Sequence, residues 1–342
     1  DDSNSNYGAA CILNVSGSAI TAGTPVFFES ATTTDFSVVA LSSTKAIVTY
    51  RDNGNSNFGT GCILDVSGST ITAGTPSVFN NARSDENRVA KLTDTKAIVI
   101  HSGYGINFGY AQILDVSGTT ITAGTALAFE ASRILTITVV SLTSTKALVT
   151  YTDLGNTSYA TACILDVSGS TITAGTPSAL QSSEISNVSL ASLSSTKSIM
   201  IYNDKGNSYR GTTRILDVSG TTITPATALV FDSATDTVAD TSIAMLTSTR
   251  AVGVYKDSGN SQYGTAAIFN VSGSTVTLDY EAVFESGITI NPSVIALDST
   301  KVIVSYSDNS NSNYGTAVVL DIQTVATNLT STNFVGITSK AI

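Results

Sequence analysis

The chain has 342 residues, of which 12% are charged and 42% are hydrophobic, and its formal net charge is −10 with a pI near 4.4. An acidic balance of this size argues against nucleic acid as a partner, because phosphate binding needs a basic surface. No apolar run reaches the roughly 18–20 residues of a membrane span, so membrane insertion is not expected. Neutral polar residues fill most of the remainder, which favours an extracellular, cell-surface or virion location.

One segment recurs along the whole chain. Its copies begin at Tyr7, Phe58, Phe108, Tyr159, Arg210, Tyr263 and Tyr314. A period of about 51 residues indicates a repeat architecture. Each unit contains short runs rich in Val, Ile, Thr and aromatic residues, and Gly, Asn, Asp and Ser separate them. Such runs are typical of β-strands joined by turns, and no helical period is present, so the sequence predicts an all-β fold.

Four strands are predicted in each unit. In the first complete unit they span residues 37–41, 45–50, 58–66 and 70–79. The third strand is apolar on both faces, with Ile63 on one side and Leu64 on the other. A strand of this kind must be covered on both sides. A β-propeller supplies that cover, because each four-stranded blade lies between two neighbours.

Counting the units predicts a seven-bladed β-propeller that forms a single domain over residues 1–342. Six blades are predicted at approximately 36–80, 87–130, 137–181, 188–231, 241–284 and 292–328. The seventh combines residues 334–342 with residues 7–28, so that a blade shared between the N- and C-termini closes the ring and leaves no free edge. The second strand of this closing blade is incomplete, and we therefore expect the natural chain to continue past Ile342.

Turn and strand motifs resemble those of known propellers. Residues 52–58 and 257–263 resemble the Asp-box turn of sialidase-type propellers, although the aromatic residue comes one position later. Residues 291–321 resemble the propeller repeats of large bacterial surface and secreted adhesins. Residues 328–337 are similar to segments of marine bacterial and phage tail-associated proteins. The resemblance implies a propeller fold and a role in adhesion.

Strand order assigns the turns of each blade to two opposite edges. At one edge each predicted second strand opens with a base, namely Lys45, Lys96, Lys146, Lys197, Arg250, Lys301 and Lys340. Antiparallel pairing places these bases near the end of the third strand, where Asp65 and its equivalents lie. Two interpretations are open, a seven-fold cationic ring for an acidic ligand or a Lys–Asp pair within each blade. We favour the pairs, which are worth about 0–1 kcal/mol each when exposed.

The opposite edge carries the Asp-containing turns and the connectors between blades, which are the least similar parts of the repeats. Variable segments on a rigid scaffold are common recognition sites. The candidate ligand-binding residues on this edge are tyrosines, turn aspartates and departures from the repeat: Tyr50, Asp52, His101, Tyr104, Tyr151, Asp153, Tyr202, Asp204, Arg210, Tyr255, Asp257, Tyr306 and Asp308. Packing across the strand pair is the alternative for the tyrosines, and chance departure from the repeat is the alternative for His101 and Arg210.

Catalysis is not predicted. The chain has a single histidine, His101, with no evident partner for nucleophilic chemistry, and no catalytic residue or metal ligand is assigned. No cofactor is expected. Calcium is a weaker alternative for the Asp-containing turns, but each turn has one carboxylate, too few for tight binding.

The leading hypothesis is a non-catalytic binding or adhesion propeller that recognises a surface glycan or protein, on a cell surface, a secreted protein or a phage tail. One alternative is a propeller-type glycan hydrolase, whose candidate carboxylates are Glu86, Glu130, Glu184 and Glu285. The other is a structural spacer or assembly subunit. Other domains of a longer chain or an oligomeric assembly are further candidate partners.

Overall fold

A computed structural model describes residues 6–103, 108–232 and 237–322. Within these ranges the chain consists of antiparallel β-strands and three 3₁₀ turns, at Lys205–Asn207, Ser258–Asn260 and Asn309–Asn311. It divides into two compact units, the first built mainly from Ala22–Glu184 and the second from Ile185–Asp217 and most of the residues that follow. No helix in the described part is long and apolar enough to cross a membrane.

Residues up to 184 form seventeen strands. They are β1 (Tyr7–Ala10), β2 (Leu13–Ser16), β3 (Ala19–Ala22), β4 (Val26–Ser42), β5 (Lys45–Asp52), β6 (Phe58–Ser67), β7 (Thr70–Ala73), β8 (Ser77–Thr93), β9 (Lys96–Gly103), β10 (Gly109–Ser117), β11 (Thr120–Ala123), β12 (Leu127–Glu130), β13 (Ile134–Thr143), β14 (Lys146–Asp153), β15 (Tyr159–Ser168), β16 (Thr171–Ala174) and β17 (Ser178–Gln181). Each repeat here pairs its strands in sequence order, as in the sheet β13-β14-β15-β16.

The remaining described residues repeat this arrangement. Their strands are β18 (Ile185–Ser194), β19 (Lys197–Asp204), β20 (Arg210–Ser219), β21 (Thr222–Pro225), β22 (Leu229–Val230), β23 (Val238–Thr247), β24 (Arg250–Asp257), β25 (Tyr263–Ser272), β26 (Thr275–Ala296), β27 (Lys301–Asp308) and β28 (Tyr314–Asp321). The four-stranded repeat predicted from the sequence is therefore present in both units. The predicted closing segment 334–342 lies outside the described residues.

The predicted fourth strand is two short strands in the second, third and fourth complete repeats, whereas in the first it is β7 followed by the start of the long strand β8. In the third repeat both β16 and β17 pair with β15. Between them the Gly175 amide donates to the Ile164 carbonyl at 2.8 Å, and Pro177 has no amide hydrogen to donate. A short, interrupted outer strand is a poor template for pairing with another chain, so the edge of the sheet is protected.

The described parts of the connectors between repeats are largely strand. Strands β4, β8 and β26 run from the end of one repeat into the first strand of the next. Each connector contains one residue with φ between 49° and 55°, at Asp35, Glu86, Thr136, Asn187, Asp240 and Asn291. At each of these positions the pairing with the second strand shifts register. This is a β-bulge, which bends a strand without ending it.

The core of the first unit lies between successive sheets. Ile63 belongs to a buried cluster that includes Leu114 of the second repeat, whereas Leu64 packs with Phe28 of the N-terminal strands. The two faces of the third strand are thus covered by different neighbours, as the sequence predicts. A third cluster joins Ile113 to Val149 of the third repeat.

The second unit is built in the same way. Ile201 of the fourth repeat clusters with Phe269 of the fifth, and Ile268 clusters with Val304 of the sixth. Apolar side chains on both faces of each sheet are therefore buried by stacking of sheet on sheet. This packing is consistent with a propeller.

Candidate functional site

At the edge where each second strand opens with a base, which we call the lysine edge, ion pairs join the second and third strands. The pairs are Lys45–Asp65, Lys96–Asp115, Lys146–Asp166, Lys197–Asp217 and Lys301–Asp321. Lysines also reach the next repeat, since Lys45 Nζ donates to the Gly118 carbonyl at 2.8 Å and Lys197 Nζ donates to Ser274 Oγ at 2.9 Å. The five described lysines thus form the paired arrangement favoured above, whereas Arg250 pairs with Asp279 of the fourth strand. Lys340 lies outside the described residues.

One of these carboxylates shows the electrostatic effect of its pair. Burial alone would raise the pKa of Asp115, but hydrogen bonds from Lys96 and Ser170 outweigh burial and lower that pKa below its ordinary value. Since Ser170 belongs to the turn of the third repeat, Asp115 ties two repeats together. This edge is therefore part of the scaffold.

The candidate tyrosines Tyr50, Tyr151, Tyr202, Tyr255 and Tyr306 are between 0% and 6% exposed. Three hydroxyl groups donate to glutamates from the last strand of the preceding repeat, Tyr50 to Glu29 at 3.0 Å, Tyr151 to Glu130 at 2.9 Å and Tyr306 to Glu285 at 2.7 Å. A buried ring offers no face to a ligand. These contacts join successive repeats and not the two strands of one pair, so the tyrosines are part of the scaffold.

The environment keeps these hydroxyl groups neutral. Burial, followed by the charge of Glu130, raises the pKa of Tyr151 far above its ordinary value. Burial raises the pKa of Tyr202 to about 12, and the guanidinium of Arg214 lies 5.7 Å from the centre of its ring. Tyr255 donates to Glu281 of its own repeat at 2.6 Å. All of these tyrosines keep their proton at neutral pH.

The candidate aspartates begin the turns after the second strands and bond to turn backbone. Asp52 accepts from the Asn55 amide at 3.1 Å, Asp153 from Gly155 at 2.9 Å, Asp204 from Gly206 at 3.0 Å, Asp257 from Asn260 at 3.1 Å and Asp308 from Asn311 at 3.2 Å. Each turn then passes through two residues of positive φ, such as Ser56 and Asn57. This is a structural use of an aspartate at a turn. Ligand binding by these aspartates stays a prediction, and Tyr104 lies outside the described residues.

The candidate hydrolase carboxylates also make scaffold bonds. Glu130 accepts from Tyr151 and from the Ala131 amide, at 2.8 Å for the latter. Glu285 accepts from Tyr306 and from the Gly287 amide. Glu86 accepts from the Ile137 amide at 3.0 Å, and its burial raises the pKa of the carboxyl. These three carboxylates thus stabilise junctions between and within repeats.

His101 replaces the buried tyrosine in the second repeat and is 2% exposed. Its ring stacks on Tyr110, with centroids 5.4 Å apart and planes at 20°, and it contacts Phe79 at 5.8 Å. Neither ring nitrogen has a hydrogen-bond partner among the described residues. Burial lowers the pKa of His101 to about 4, so the imidazole is neutral at pH 7.

A charged cluster lies at the bulges of the first two repeats. Arg51 Nη1 contacts Asp35 at 2.8 Å and Asp85 at 2.5 Å, and Arg83 Nε contacts Asp85 at 3.0 Å. The Arg83 side chain is 40% exposed, whereas those of Arg51 and Asp85 are 18% and 12% exposed. We call these four residues the bulge cluster. Sequence reasoning missed it because its members come from three strands, although Arg51 stands where three other repeats have Ser or Thr.

A smaller counterpart occurs in the second unit. Lys256 Nζ lies 2.9 Å from Asp240 at the bulge of the fifth repeat, and the same carboxylate accepts from the Asn291 amide at 3.4 Å. The bulges thus present different charges in different repeats. No group of three or more His, Cys, Asp and Glu side chains suited to a metal ion occurs in residues 6–103, 108–232 and 237–322.

The candidate Arg210 opens β20 in register opposite Asp204. Other complete repeats have Phe or Tyr at this position, at Phe58, Tyr159 and Tyr263 for example. Here the aromatic residue comes one position earlier, as Tyr209, which is 47% exposed and has φ of 62°. This exposed ring was not among the predicted site residues. The displaced aromatic in the printed sequence is the signal that identifies it.

No protein-family model and no curated protein matches the chain. Solved structures do show a similar fold. A protein from Lactobacillus plantarum aligns with a TM-score of 0.61 and 12% identity, covering 89% of this chain and 84% of that one. The Hadza microbial sialidase Hz136 aligns with a TM-score of 0.52 and 12% identity, over 81% of this chain and 63% of that one. AofleA from Arthrobotrys oligospora aligns with a TM-score of 0.53 and 6% identity, over 90% and 86%. The chain therefore has a propeller-like all-β fold.

Proposed function

We propose that this protein is a non-catalytic binding or adhesion module that recognises a surface glycan or a surface protein, outside the cell or on a virion. The observation that carries the proposal is the bulge cluster. Most polar side chains that the repeats share make hydrogen bonds or ion pairs within or between repeats. The charges at the bulges, in contrast, differ from repeat to repeat and include the exposed Arg83. Variation confined to one edge of a rigid scaffold is a common basis of recognition.

The candidate ligands are a glycan and a protein. One solved structure of similar fold is a sialidase by name, which supports a glycan among them. Arginine suits either ligand, because its planar guanidinium donates several hydrogen bonds to carboxylate or hydroxyl oxygens. Arg83 Nε donates to both oxygens of Asp85, and the Arg83 side chain is 40% exposed, so a ligand oxygen can approach the guanidinium from solvent.

The binding test uses the full chain on a glycan array and on bacterial and eukaryotic cells. We expect saturable binding that Arg83→Ala weakens by about tenfold or more, as for an exposed arginine at the centre of an interface. Lys91→Ala is the matched control, because Lys91 lies on the same strand and pairs with the exposed Asp94. If neither glycans nor cells bind the chain, the adhesion role fails and the spacer or assembly role takes its place.

We propose that the architecture behind this function is a single seven-bladed ring, closed by residues 7–28 with residues 334–342. Two exposed apolar faces support it. In the first repeat Phe36 and Val38 are 67% and 61% exposed, although Ile137, the equivalent of Phe36 in the third repeat, is 2% exposed. In the sixth repeat Ile295 is 60% exposed, and it lies on the sheet face opposite to the one that Val38 occupies in the first repeat. A closing blade would cover both faces.

Closure is tested by placing a charge on one of these faces. If a closing strand covers Val38, Val38→Asp buries an unpaired carboxylate and lowers the free energy of unfolding by about 2–4 kcal/mol. Val78→Asp is the control, since Val78 is 42% exposed on an outer strand and should cost less than about 1 kcal/mol. Equal effects of the two substitutions in urea unfolding would contradict closure.

A propeller-type glycan hydrolase is the second candidate, and Glu86 is the observation in its favour. Burial raises the pKa of this carboxyl, as is typical of a general acid. Incubation of the chain with glycans that it binds, followed by analysis for released sugars, tests this role. Release that Glu86→Gln abolishes without loss of binding would establish the hydrolase in place of the adhesin.

A further inference from the structure

The turn between β19 and β20 differs from every other described turn at its edge. Its aromatic residue, Tyr209, occupies a position of positive φ where the equivalent residues are polar: Asn57, Ser158, Gln262 and Asn313. Left-handed backbone is unfavourable for a residue with a bulky side chain and is tolerated best by glycine and asparagine. Strained residues of this kind concentrate at functional sites.

The backbone of Tyr209 is fixed by its neighbours. Its amide donates to the Asp204 carbonyl at 2.8 Å, and its carbonyl accepts from Asn203 Nδ2 at 2.8 Å. Asn203 is 2% exposed and also donates to the Val238 carbonyl at 2.5 Å. The ring, which is 47% exposed, is thus presented on a rigid support and loses little freedom when it meets a ligand.

Basic residues flank this ring. Lys205 lies within the turn and Arg210 follows Tyr209, whereas the equivalent segments 53–57, 154–158, 258–262 and 309–313 contain no Lys or Arg. Arg210 Nε is buried and has no hydrogen-bond partner among the described residues. The hydrogen-bonding capacity of this guanidinium is therefore not used up by the turn. In a chain of net charge −10, two bases beside an exposed aromatic ring favour a negatively charged ligand at this place.

We propose that residues 204–210 bind an anionic saccharide, with the Tyr209 ring stacked on a pyranose and the Arg210 guanidinium bonded to its carboxylate or sulfate. The aromatic face carries partial negative charge and attracts the polarised C–H bonds of a sugar. The guanidinium donates charge-assisted hydrogen bonds to the anionic group. This inference rests on the proposed binding function and gives it a ligand class and a site in the second unit.

The test measures binding of the full chain to trigalacturonic acid, to sulfated maltotriose and to maltotriose. We expect the chain to bind at least one anionic probe about tenfold more tightly than maltotriose, and the better probe distinguishes carboxylate from sulfate. Tyr209→Asn should weaken that binding by about tenfold or more while raising the melting temperature, because asparagine suits the left-handed backbone. Gln262→Asn, at the equivalent position of the next repeat, should leave binding unchanged. Arg210→Gln should remove the preference for anionic probes.

The outcomes separate this inference from the function on which it rests. If Tyr209→Asn binds the anionic probe as tightly as the unaltered chain, the site is wrong and the adhesion role stands. The same conclusion follows if the chain binds other glycans or cells but none of these three probes. If it binds nothing on the array, on cells or among the probes, the inference and the proposed function both fail.

Discussion

The second and third repeats fill the junction with the preceding repeat with different side chains. In the third repeat Tyr151 is buried, and its hydroxyl donates to Glu130 of the preceding repeat. In the second repeat His101 occupies the equivalent place, Asn80 replaces the glutamate, and Tyr110 replaces the small Thr161 across the strand pair. The second repeat thus lacks the polar bond to the preceding repeat and has aromatic stacking at 5.4 Å within its own strand pair, while Phe79 contacts His101 as Phe129 contacts Tyr151.

The exchange shows that the junction between sheets requires buried ring volume but not one particular hydrogen bond. The Tyr151 junction satisfies its polar atoms and so gains specificity, since the partly buried Glu130 accepts only a correctly placed donor. The His101 junction leaves both imidazole nitrogens without a partner among the described residues. We therefore expect the two junctions to respond differently to truncation, acid and loss of a hydroxyl group.

Truncation should give the largest difference. Tyr151→Ala removes a fully buried ring and the hydroxyl donor to Glu130 Oε2, so we expect the free energy of unfolding to fall by about 3–5 kcal/mol. His101→Ala removes a smaller ring and also removes two unsatisfied nitrogens, and its cost should be smaller. Urea unfolding of both variants measures the difference. Equal costs would show that neither the larger ring nor the bond to Glu130 makes the Tyr151 junction the more stable one.

Acid should destabilise the His101 junction. The folded pKa of about 4 lies below the ordinary value of 6.5, so the unfolded chain binds the proton more readily and stability falls as the pH drops through this window. Protonation of His101 should lower the free energy of unfolding by roughly 3 kcal/mol between pH 7 and pH 4.

His101→Phe separates the pH dependence due to His101 from that of the carboxylates that titrate in the same range. The difference in unfolding free energy between the variant and the unaltered chain should grow by that amount from pH 7 to pH 4. A constant difference across the range would show that His101 is protonated in the folded chain as easily as in the unfolded one.

Removal of one hydroxyl group should have an intermediate effect. Tyr151→Phe keeps the ring but removes the hydroxyl donor to Glu130 Oε2. We expect the free energy of unfolding in urea to fall by about 1–3 kcal/mol. Tyr110→Phe, beside His101, is the matched control in the second repeat and should cost less. A neutral result for Tyr151→Phe would indicate that water replaces the hydroxyl group.

The lysine edge should not distinguish the two repeats. Lys96→Met and Lys146→Met each break a half-exposed ion pair, with Asp115 and Asp166, and should each cost about 0–1 kcal/mol. Thermal unfolding in low and high salt measures the effect, which salt should reduce. A larger loss in one repeat would show that the difference between the repeats extends along the whole sheet.

Local features of the fold could be predicted from the sequence. The repeat, the order of strands, the two buried faces at Ile63 and Leu64, and the pairing of Lys45 with Asp65 all follow from a side-chain period of two and from turn residues. Strand order and pairing depend on neighbours within one hairpin, and a strand that is apolar on both faces must be covered on both, so the sequence by itself determined these features.

Tertiary structure decided which repeats share a bond and which rings remain exposed. The Tyr151–Glu130 bond joins strands of two repeats, and the bulge cluster joins Arg51 and Asp85 of different repeats. The strand pattern places Tyr151 and Tyr209 at the same edge, yet one is buried and the other is 47% exposed. The reason is physical, because burial depends on how neighbouring sheets stack, and the period of a single strand carries no information about the surface packed against it.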